Sequence, residues 1–346
     1  MRVLQLGPYP PPHGGVQSNL VAIRRFLLKR QIPCAVINIT RHRKTAAAQV
    51  YYPNNAAQLF QLLLTLRYDI IHLHIGGMLT RRLLGLGLVC CSMPHSKAVL
   101  TFHSGGYPST PEAKSATTNS LAGFSLRRFD GLIGVNPEII AFFRKLGVQA
   151  ERARLIYPHA FMDDEPRVDL PTPLAGFFAN HRPMLISVGL LEPEYDLPLQ
   201  IEILGRVREN FPSAGLVMIG SGSLEGDLRK QIQAQPWAEH ILLPGDVAHQ
   251  ATLRAISDSD VMLRTTFYDG DAVSIREALH LGTPVIATDN AMRPPGVTLI
   301  PSHNLSALQQ AVEHTLGSPR APRQPTTTDE TNLQAILDFY QELLAK

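Results

Sequence analysis

Residues 260–288 have the sequence DVMLRTTFYDGDAVSIREALHLGTPVIAT, which is the pattern of a strand, a polar loop, a helix and a second strand. The apolar residues 261–263 predict the first strand, and the helix is expected to begin at Ala272 and to end at Gly282. Residues 284–288 predict a second, short buried strand. Such a unit is typical of a parallel α/β sheet, and its loop lies at the carboxyl end of a strand, where these sheets bind ligands.

Carboxylates are concentrated in and after this loop. Asp269 and Asp271 precede the helix, and Glu277 lies within it. An acid in the first turn of a helix interacts favourably with the helix dipole, so Asp271 alone is equally well explained as a cap. This explanation does not extend to Glu277, because its neighbours Ala278 and Leu279 are typical of a core-facing surface. Glu277 is therefore the stronger candidate for a ligand-binding residue.

The composition agrees with a folded, soluble enzyme, and the chain is long enough for two domains. The chain has 346 residues, of which 45% are hydrophobic, and a net charge of +3. Its three cysteines have neither disulfide-framework nor metal-ligand spacing, which favours a reducing compartment. No secretory leader is expected, and the longest apolar run, residues 83–93, is too short for the roughly 20 residues that cross a bilayer. We therefore expect a cytoplasmic protein that is not integral to a membrane.

Basic residues are concentrated in the first half of the chain. Residues 1–170 hold 20 Lys or Arg against 9 Asp or Glu, whereas residues 171–346 hold 12 against 20. A basic half favours an anionic partner such as a membrane surface, and solvated helix faces are the alternative explanation. A nucleic acid is not expected, because the clusters lack interleaved aromatic residues. The clusters are Arg24, Arg25, Lys29 and Arg30, then Arg41, Arg43 and Lys44, then Arg81 and Arg82.

Short apolar strands alternate with helices in both halves, which predicts two parallel sheets that are each covered by helices. Residues 163–183, rich in proline and acid, are predicted to be the linker. The predicted domains are 1–165 and 180–320, and residues 329–346 are expected to form a helix that packs back toward the first domain. The strands outside the 260–288 unit are predicted at 3–7, 34–39, 69–75, 98–103, 131–135, 153–157, 184–189, 216–222 and 240–245.

Five motifs, in the same order, resemble those of the retaining glycosyltransferases of family 4. They are GPYPPPHGGVQ with Gly14 and Gly15, the pair DIIHLH and LTFH, SVGLLEPEYDL with Gly189, VMIGSGSLEGDL, and the 260–288 unit. The last of these is similar to the family's E-x7-E signature followed by EA-x-x-x-G-x-PV. The resemblance implies the GT-B fold, in which two Rossmann-like α/β domains face a central cleft.

The resemblance also implies roles for individual side chains. Glu277 would accept hydrogen bonds from the nucleotide ribose, and Asp269 would contact sugar hydroxyls in place of the family's first glutamate. His103 would lie near the transferred sugar, although a histidine that caps its own loop is the alternative. His72 and His74, at alternate positions of one strand, are expected to be structural.

Backbone N–H groups at glycine-rich loops and helix N-termini are well suited to a diphosphate. The loop and helix start of the 260–288 unit and the first glycine pair would supply such groups. The residues that this assigns to donor binding, besides Glu277, are Gly14, Gly15, Gly189, Gly270, Asp271, Ala272 and Val273.

Retention of configuration would follow a front-face route in which a donor phosphate oxygen takes the acceptor proton. That route needs neither a protein nucleophile nor a metal, and stabilisation of the leaving diphosphate is its main requirement. Residues 258–260 and 269–271 both have the D-x-D spacing of metal-dependent glycosyltransferases. We discount both pairs, because the first ends a helix and the second opens the sugar-contact loop. No metal or other cofactor is expected.

The chain departs from the family at one point that affects activity. The family's second domain opens with G-R-x-x-x-x-K-G, and here Leu190 and Tyr195 replace its two cations. Charge-assisted hydrogen bonds contribute about 1.5–3 kcal/mol each, so another cation is required if the protein is active. Arg264 is the best candidate, with Arg276 and Arg293 as less specific ones. Internal pairing of Arg264 with an aspartate, either 271 or 289, is the alternative explanation.

The resemblance therefore predicts a metal-independent glycosyltransferase that uses a nucleotide sugar. The basic first half favours a lipid-linked or polysaccharide-precursor acceptor at the inner face of the membrane. Two alternatives remain open. One is a GT-B sugar-nucleotide epimerase, and the other is a degenerate transferase that binds a nucleotide sugar without transfer, which the loss of cations at Leu190 and Tyr195 would explain.

Overall fold

The computed structural model describes residues 1–10, 14–40, 47–158, 168–267, 272–290, 293–318 and 330–345. The chain divides into two compact units. The first comprises Met1–Ala160 and Asp329–Lys346, and the second comprises Phe161–Thr328. Each unit contains one parallel sheet with helices packed against it, so the prediction of two Rossmann-like α/β domains is confirmed.

The first unit has a seven-stranded parallel sheet with the order β3-β2-β1-β4-β5-β6-β7. Its strands are β1 (Val3–Gly7), β2 (Cys34–Asn38), β3 (Val50–Tyr51), β4 (Ile70–Ile75), β5 (Lys97–Phe102), β6 (Gly131–Gly134) and β7 (Ala153–Leu155). Its helices are α1 (Gly15–Lys29), α2 (Ala56–Thr65), α3 (Arg81–Cys91), α4 (Pro111–Ser115), α5 (Leu121–Leu126), α6 (Pro137–Lys145) and, from the end of the chain, α13 (Thr331–Leu344).

The second unit has a six-stranded parallel sheet with the order β10-β9-β8-β11-β12-β13. Its strands are β8 (Met184–Val188), β9 (Gly215–Ile219), β10 (Ile241–Gly245), β11 (Val261–Arg264), β12 (Val285–Thr288) and β13 (Val297–Ile300). Its helices are α7 (Thr172–Asn180), α8 (Leu197–Asn210), α9 (Glu225–Gln233), α10 (His249–Asp258), α11 (Val273–His280) and α12 (Leu305–Gly317).

Near-continuous apolar runs form the central strands because both faces of each sheet are covered. All residues of β1, β2 and β4 are buried, as are those of β9, β11 and β12. Full burial of a large aliphatic side chain contributes about 1.5–3 kcal/mol, so these strands are the main source of stability. Five polar side chains of the first sheet are exceptions, and each of them makes hydrogen bonds: Gln5, Asn38, His72, His74 and Thr101.

Helix α13 packs within the first unit although it ends the chain. Its Tyr340 is fully buried, and the hydroxyl oxygen lies 2.5 Å from Nδ1 of His72 on β4. Phe339 occupies the space beside Gly131, where a Cβ atom would lie 2.7 Å from the phenylalanine ring. At its N-terminus, Glu330 pairs with Arg30 at 3.0 Å. Both a buried polar contact and close aromatic packing therefore hold α13 against the first sheet.

The predicted linker is wrong over its second half. Residues 172–180 form helix α7, and its Leu174 and Phe178 are buried in the core of the second unit. These two residues have the i, i+4 spacing of a helix face, which outweighs the proline and acid content that suggested a linker. Residues 159–167 lie outside the described part of the chain.

The apolar run at 83–93 falls in helix α3, which buries Leu84, Gly87 and Cys90, as the prediction of a buried helix requires. Close packing explains Gly87, because a Cβ atom there would lie 2.8 Å from the Phe129 ring. Within the described ranges, no helix combines the length and the apolar character that crossing a bilayer demands.

Candidate active site

Both sheets reverse their strand order at one point, between β1 and β4 in the first unit and between β8 and β11 in the second. Ligands of such sheets bind beyond the carboxyl ends of the strands at these points. In the first unit the predicted residues Gly14, Gly15 and His103 follow β1 and β5. In the second unit Gly189 directly follows β8, and Arg264 is the last residue of β11. Glu277 lies on α11, the helix that follows β11.

Helix α1 begins directly after the loop that follows β1. Gly14 is the N-cap residue, in an extended conformation with φ −161° and ψ 170°, and it has no side chain to cap the helix. Among the residues that the structure describes, the first backbone N–H groups of α1 therefore have no side-chain acceptor, which is the arrangement that binds anions at helix N-termini. Gly76, after β4, approaches this first turn closely, because a Cβ atom there would lie 2.8 Å from Cγ2 of Val16.

Three histidines lie together at the ends of β4 and β5. The Nδ1 atom of His74 lies 3.2 Å from Nε2 of His103, and Nε2 of His74 lies 3.0 Å from Oε1 of Gln5. His72 contacts the Tyr340 hydroxyl and, at 2.7 Å, the Thr101 hydroxyl. His72 is thus a core residue, as expected, whereas His74 does more than pack, because it positions His103.

Burial lowers the pKa of all three histidines. It lowers the pKa of His72 to about 3, with a smaller contribution from His103, and the pKa of His103 itself to about 3. The pKa of His74 lies well below its ordinary value, first because of burial and then because of the neighbouring histidines. All three rings are therefore neutral at physiological pH. The His103 side chain bonds His74 rather than capping its own loop, and part of its surface remains accessible.

In the second unit, Glu277 is a buried carboxylate on α11. The residue is 3% exposed, and its Oε1 accepts a hydrogen bond from Nε2 of His249 at 2.6 Å. Among the described residues, none donates a hydrogen bond to the second oxygen, Oε2. His249 is the first residue of α10 and has no sequence signal, because it is 28 positions from Glu277. One carboxylate oxygen is thus anchored, and the other is available to a ligand hydroxyl.

Arg264 ends β11, and its guanidinium lies beside the loop that follows β8. Arg264 is only 6% exposed, and its Nη1 donates a hydrogen bond to the carbonyl of Val188 at 2.8 Å. The guanidinium carbon lies 4.6 Å from the centre of the Tyr195 ring. A side chain at Gly189 would collide with this ring and would lie 2.7 Å from Nη1. The structure therefore brings together the strand-end glycine, the predicted arginine and the tyrosine that replaces the family's lysine.

The turn after Tyr195 depends on Asp196, which lies in the left-handed region with φ 47° and ψ 45°. Glycine adopts this conformation without strain, and aspartate is one of the few other residues that tolerate it. This explains why the resembled motif has a glycine here. The buried carboxylate of Asp196 accepts a hydrogen bond from Nδ1 of His303 at 2.8 Å. Thr265 also donates to the Tyr195 carbonyl at 2.9 Å, so β11 and this turn are fixed together.

A second arginine lies at the same edge of the second sheet. Nε of Arg293 donates to the Thr288 carbonyl at 3.0 Å, and Nη2 donates to the Thr266 hydroxyl at 2.7 Å. Arg293 is thereby held beyond the ends of β11 and β12. Arg276, the third candidate cation, is a half-buried residue of α11.

The other predicted residues are divided between described and undescribed parts of the chain. Ala272 and Val273 are buried at the start of α11. Asp269, Gly270 and Asp271 lie outside the described residues.

The first D-x-D pair lies at the amino ends of the strands, away from the predicted ligand-binding edge. Asp260 accepts a hydrogen bond from the backbone N–H of Met184 at 2.6 Å, and Asp258 pairs with Arg254 at 2.6 Å. Both carboxylates thus have structural partners. Over the ranges that the structure describes, no three His, Cys, Asp or Glu side chains are grouped as metal ligands.

Comparison with known proteins finds two families, one for each half of the chain. Glycosyltransferase Family 4 matches residues 14–159, and Glycosyl transferases group 1 matches residues 176–313. An uncharacterized glycosyltransferase of Methanocaldococcus jannaschii is 27% identical over 123 residues. That match spans 36% of this chain and only 30% of the length of the relative.

Solved structures match over the whole chain. Anabaena HepE in complex with UDP and glucose has a TM-score of 0.66 and 17% identity, covering 100% of this chain and 97% of its own. S. aureus TarM in complex with fondaparinux, α-GlcNAc-glycerol and UDP has a TM-score of 0.71 and 9% identity, with 100% of both chains covered. Identities this low show the fold alone, and that fold is the expected GT-B fold.

The Asp196–His303 pair predicts how stability depends on pH. The hydrogen bond to Asp196, and next its charge, raise the pKa of His303 above the ordinary value of 6.5. The protonated histidine is therefore favoured in the folded state. Its contribution to stability is complete below the unfolded pKa and is lost as the pH rises through the folded pKa.

We expect His303→Gln to destabilise the protein at pH 5.5 and to have little effect at pH 9. Urea denaturation across this range measures the difference. His314→Gln, an exposed substitution on α12 in the same unit, is the matched control. A destabilisation by His303→Gln that is equal at both pH values would contradict the ion pair.

Proposed function

From the premise that this chain is a GT-B glycosyltransferase, built from a family 4 domain followed by a group 1 domain, we infer that it transfers a sugar from a nucleotide diphosphate sugar to an acceptor hydroxyl. One observation carries this proposal. A buried arginine, Arg264, is held at the carboxyl edge of the second sheet, beside the loop in which the family's diphosphate-binding cations are missing.

Arg264 compensates for the substitutions at Leu190 and Tyr195. Leu190, in the place of the family's arginine, is 54% exposed and offers no charge. Tyr195, in the place of its lysine, instead stacks on the Arg264 guanidinium and fixes its position. Stacking on an aromatic ring fixes the plane of the guanidinium, and a planar fork of N–H donors matches two phosphate oxygens. The compensation favours an active enzyme over a degenerate binding protein.

Arg293 adds a second positive charge at the same edge. Its Nε and Nη2 atoms are used by Thr288 and Thr266, so its side chain is fixed rather than mobile. Two fixed cations stabilise the charge that develops on a leaving diphosphate without reorganising during the reaction. Arg264 and Arg293 are therefore proposed to replace the absent arginine and lysine together.

Glu277 is proposed to accept hydrogen bonds from the ribose of the nucleotide. The hydrogen bond from His249 holds Oε1 of Glu277. Because it fixes the whole carboxylate group, it also fixes the direction in which Oε2 points. A carboxylate accepts strong hydrogen bonds from hydroxyl groups and gains specificity when it is fixed in this way. UDP is the proposed nucleotide, because HepE and TarM are both described with UDP.

Configuration is proposed to be retained by the front-face route, with no metal. In that mechanism the donor phosphate takes the acceptor proton, and the protein supplies fixed charges and N–H donors. Asp269, Gly270 and Asp271, with the described residues Ala272 and Val273, are proposed to contribute the loop that contacts the sugar. His103 is proposed to contact a hydroxyl group of the transferred sugar.

The acceptor is proposed to be a lipid-linked glycan or polysaccharide precursor at the inner membrane surface. The first half of the chain is basic, which favours an anionic surface. Helix α2 of the first unit also exposes an apolar pair at i, i+4 spacing, since Phe60 is 47% and Leu64 54% exposed. An apolar helix face in a basic domain is the composition of peripheral membrane contacts.

The proposed role of Arg264 predicts a larger effect on turnover than on stability. Arg264→Ala removes charge-assisted hydrogen bonds to the diphosphate, worth about 1.5–3 kcal/mol each, and should lower turnover about 10- to 100-fold. We expect Arg264→Lys to be intermediate, because it keeps the charge but loses the planar fork. The measurement is release of UDP from UDP-glucose in the presence of EDTA with water as the acceptor, and NMR follows the anomer of glucose that is released first.

The matched control is Arg206→Ala, which removes an exposed cation that pairs with Glu202 on α8. This control should keep wild-type turnover, since exposed pairs contribute little. Unchanged turnover in Arg264→Ala would refute the compensation. Dependence on a divalent cation would refute the metal-free mechanism, and an inverted product would refute retention.

The membrane proposal predicts salt-dependent binding to anionic vesicles. Phosphatidylglycerol vesicles should co-sediment with the protein at low salt and release it at high salt, because screening weakens the attraction. Phe60→Glu and Leu64→Glu should each reduce the bound fraction, whereas Leu155→Glu, at an exposed apolar residue outside α2, should not. Binding that is absent at low salt, or equal in all variants, would contradict this surface.

A further inference from the structure

Gln5 is a fully buried polar residue in the middle of β1, between apolar neighbours. Its amide nitrogen Nε2 donates a hydrogen bond to the carbonyl of Leu20 at 3.2 Å and lies 3.3 Å from Sγ of Cys34. A backbone carbonyl can only accept, so this contact fixes which end of the amide faces Leu20. The carbonyl oxygen Oε1 must then face His74, at 3.0 Å from its Nε2.

This orientation determines where the proton lies on His74. Because Oε1 of Gln5 can only accept, Nε2 of His74 carries the hydrogen. Burial keeps His74 neutral, and a neutral imidazole has one N–H, so Nδ1 of His74 is unprotonated. That nitrogen lies 3.2 Å from Nε2 of His103 and can only accept. Nε2 of His103 must therefore carry the hydrogen.

We propose that Gln5 is a positioning residue that fixes the tautomer of His103 through His74. His103 then presents an unprotonated Nδ1, which has no hydrogen-bond partner among the described residues. This nitrogen accepts a hydrogen bond but does not donate one. Its ligand is consequently a hydrogen-bond donor, for which we propose a hydroxyl group, whereas an ionised carboxylate or phosphate oxygen, which lacks a hydrogen, is rejected.

The identity of that hydroxyl, as one belonging to the transferred sugar, rests on the proposed function, but the tautomer does not. The preference for a hydroxyl follows from desolvation. If Nδ1 of His103 faces a carboxylate or phosphate oxygen, it loses its hydrogen bond to water and gains none in return. Gln5 thus affects the sugar site from inside the core, two side chains away. The polar residue in the apolar strand VLQLG is its only signal in the sequence.

The test is the long-range ¹H–¹⁵N spectrum of the histidine rings in the full-length protein without ligand. Protonated and unprotonated ring nitrogens have distinct ¹⁵N shifts, and the His103→Gln spectrum assigns the His103 signals. We expect His103 and His74 both to be protonated at Nε2. In Gln5→Met, which keeps the volume but removes the acceptor, the Nδ1-protonated share of His103 should rise about tenfold or more.

The matched control is Cys34→Ala, which alters the same buried contact of Gln5 but leaves the amide anchored to Leu20. This variant should keep the wild-type tautomer. His103 protonated at Nδ1 in the wild type would overturn the proposal even if Gln5→Met does not fold. An unchanged tautomer in folded Gln5→Met would overturn the role of Gln5.

Addition of a nucleotide sugar separates this inference from the proposed function. UDP-glucose should shift the Nδ1 resonance of His103, and UDP, which lacks the sugar, should not. If the predicted tautomer is found and UDP-glucose causes no shift, the tautomer stands and the proposed contact between His103 and the donor sugar fails.

Discussion

Burial of polar groups at the carboxyl ends of the strands is the constraint on which the candidate site residues of each unit depend. A desolvated polar group without a partner costs free energy, so each one must be held by another. Arg264 is held by the Val188 carbonyl and the Tyr195 ring, and Glu277 is held by His249. The same requirement links His103 to His74 in the first unit. Pairing fixes these side chains before any ligand binds, which is the preorganisation that catalysis of group transfer requires.

The same constraint applies where the chain departs from the family motif. Tyr195 removes a cation, yet its ring supports the guanidinium of Arg264. Asp196, in place of a glycine, tolerates the left-handed backbone and gains a partner in His303. Under the proposed compensation, the positive charge moves from the loop after β8 to the end of β11 and stays at the same edge of the sheet.

Most of the fold could be predicted, because the spacing of apolar residues and the positions of glycine and proline are local properties of the sequence. The strand at 3–7 matches β1 exactly in its bounds, and α11 begins within one residue of its predicted start. The linker was the main error, since composition outweighed the helical spacing of Leu174 and Phe178. The partners His249 and Gln5 were missed, because contacts between residues far apart in sequence leave no local pattern. The loop at 268–271, where two predicted carboxylates lie, falls outside the described residues.

The central claim is that a donor site without the family's two loop cations still binds a nucleotide sugar. Thermal unfolding with UDP-, GDP- and ADP-glucose in the presence of EDTA tests it most directly, since a ligand that binds only the folded state raises Tm. We predict that UDP-glucose raises Tm and that the shift is lost in Glu277→Gln, which keeps an acceptor for His249 but loses the carboxylate charge. No shift with any of the three sugars would contradict the account.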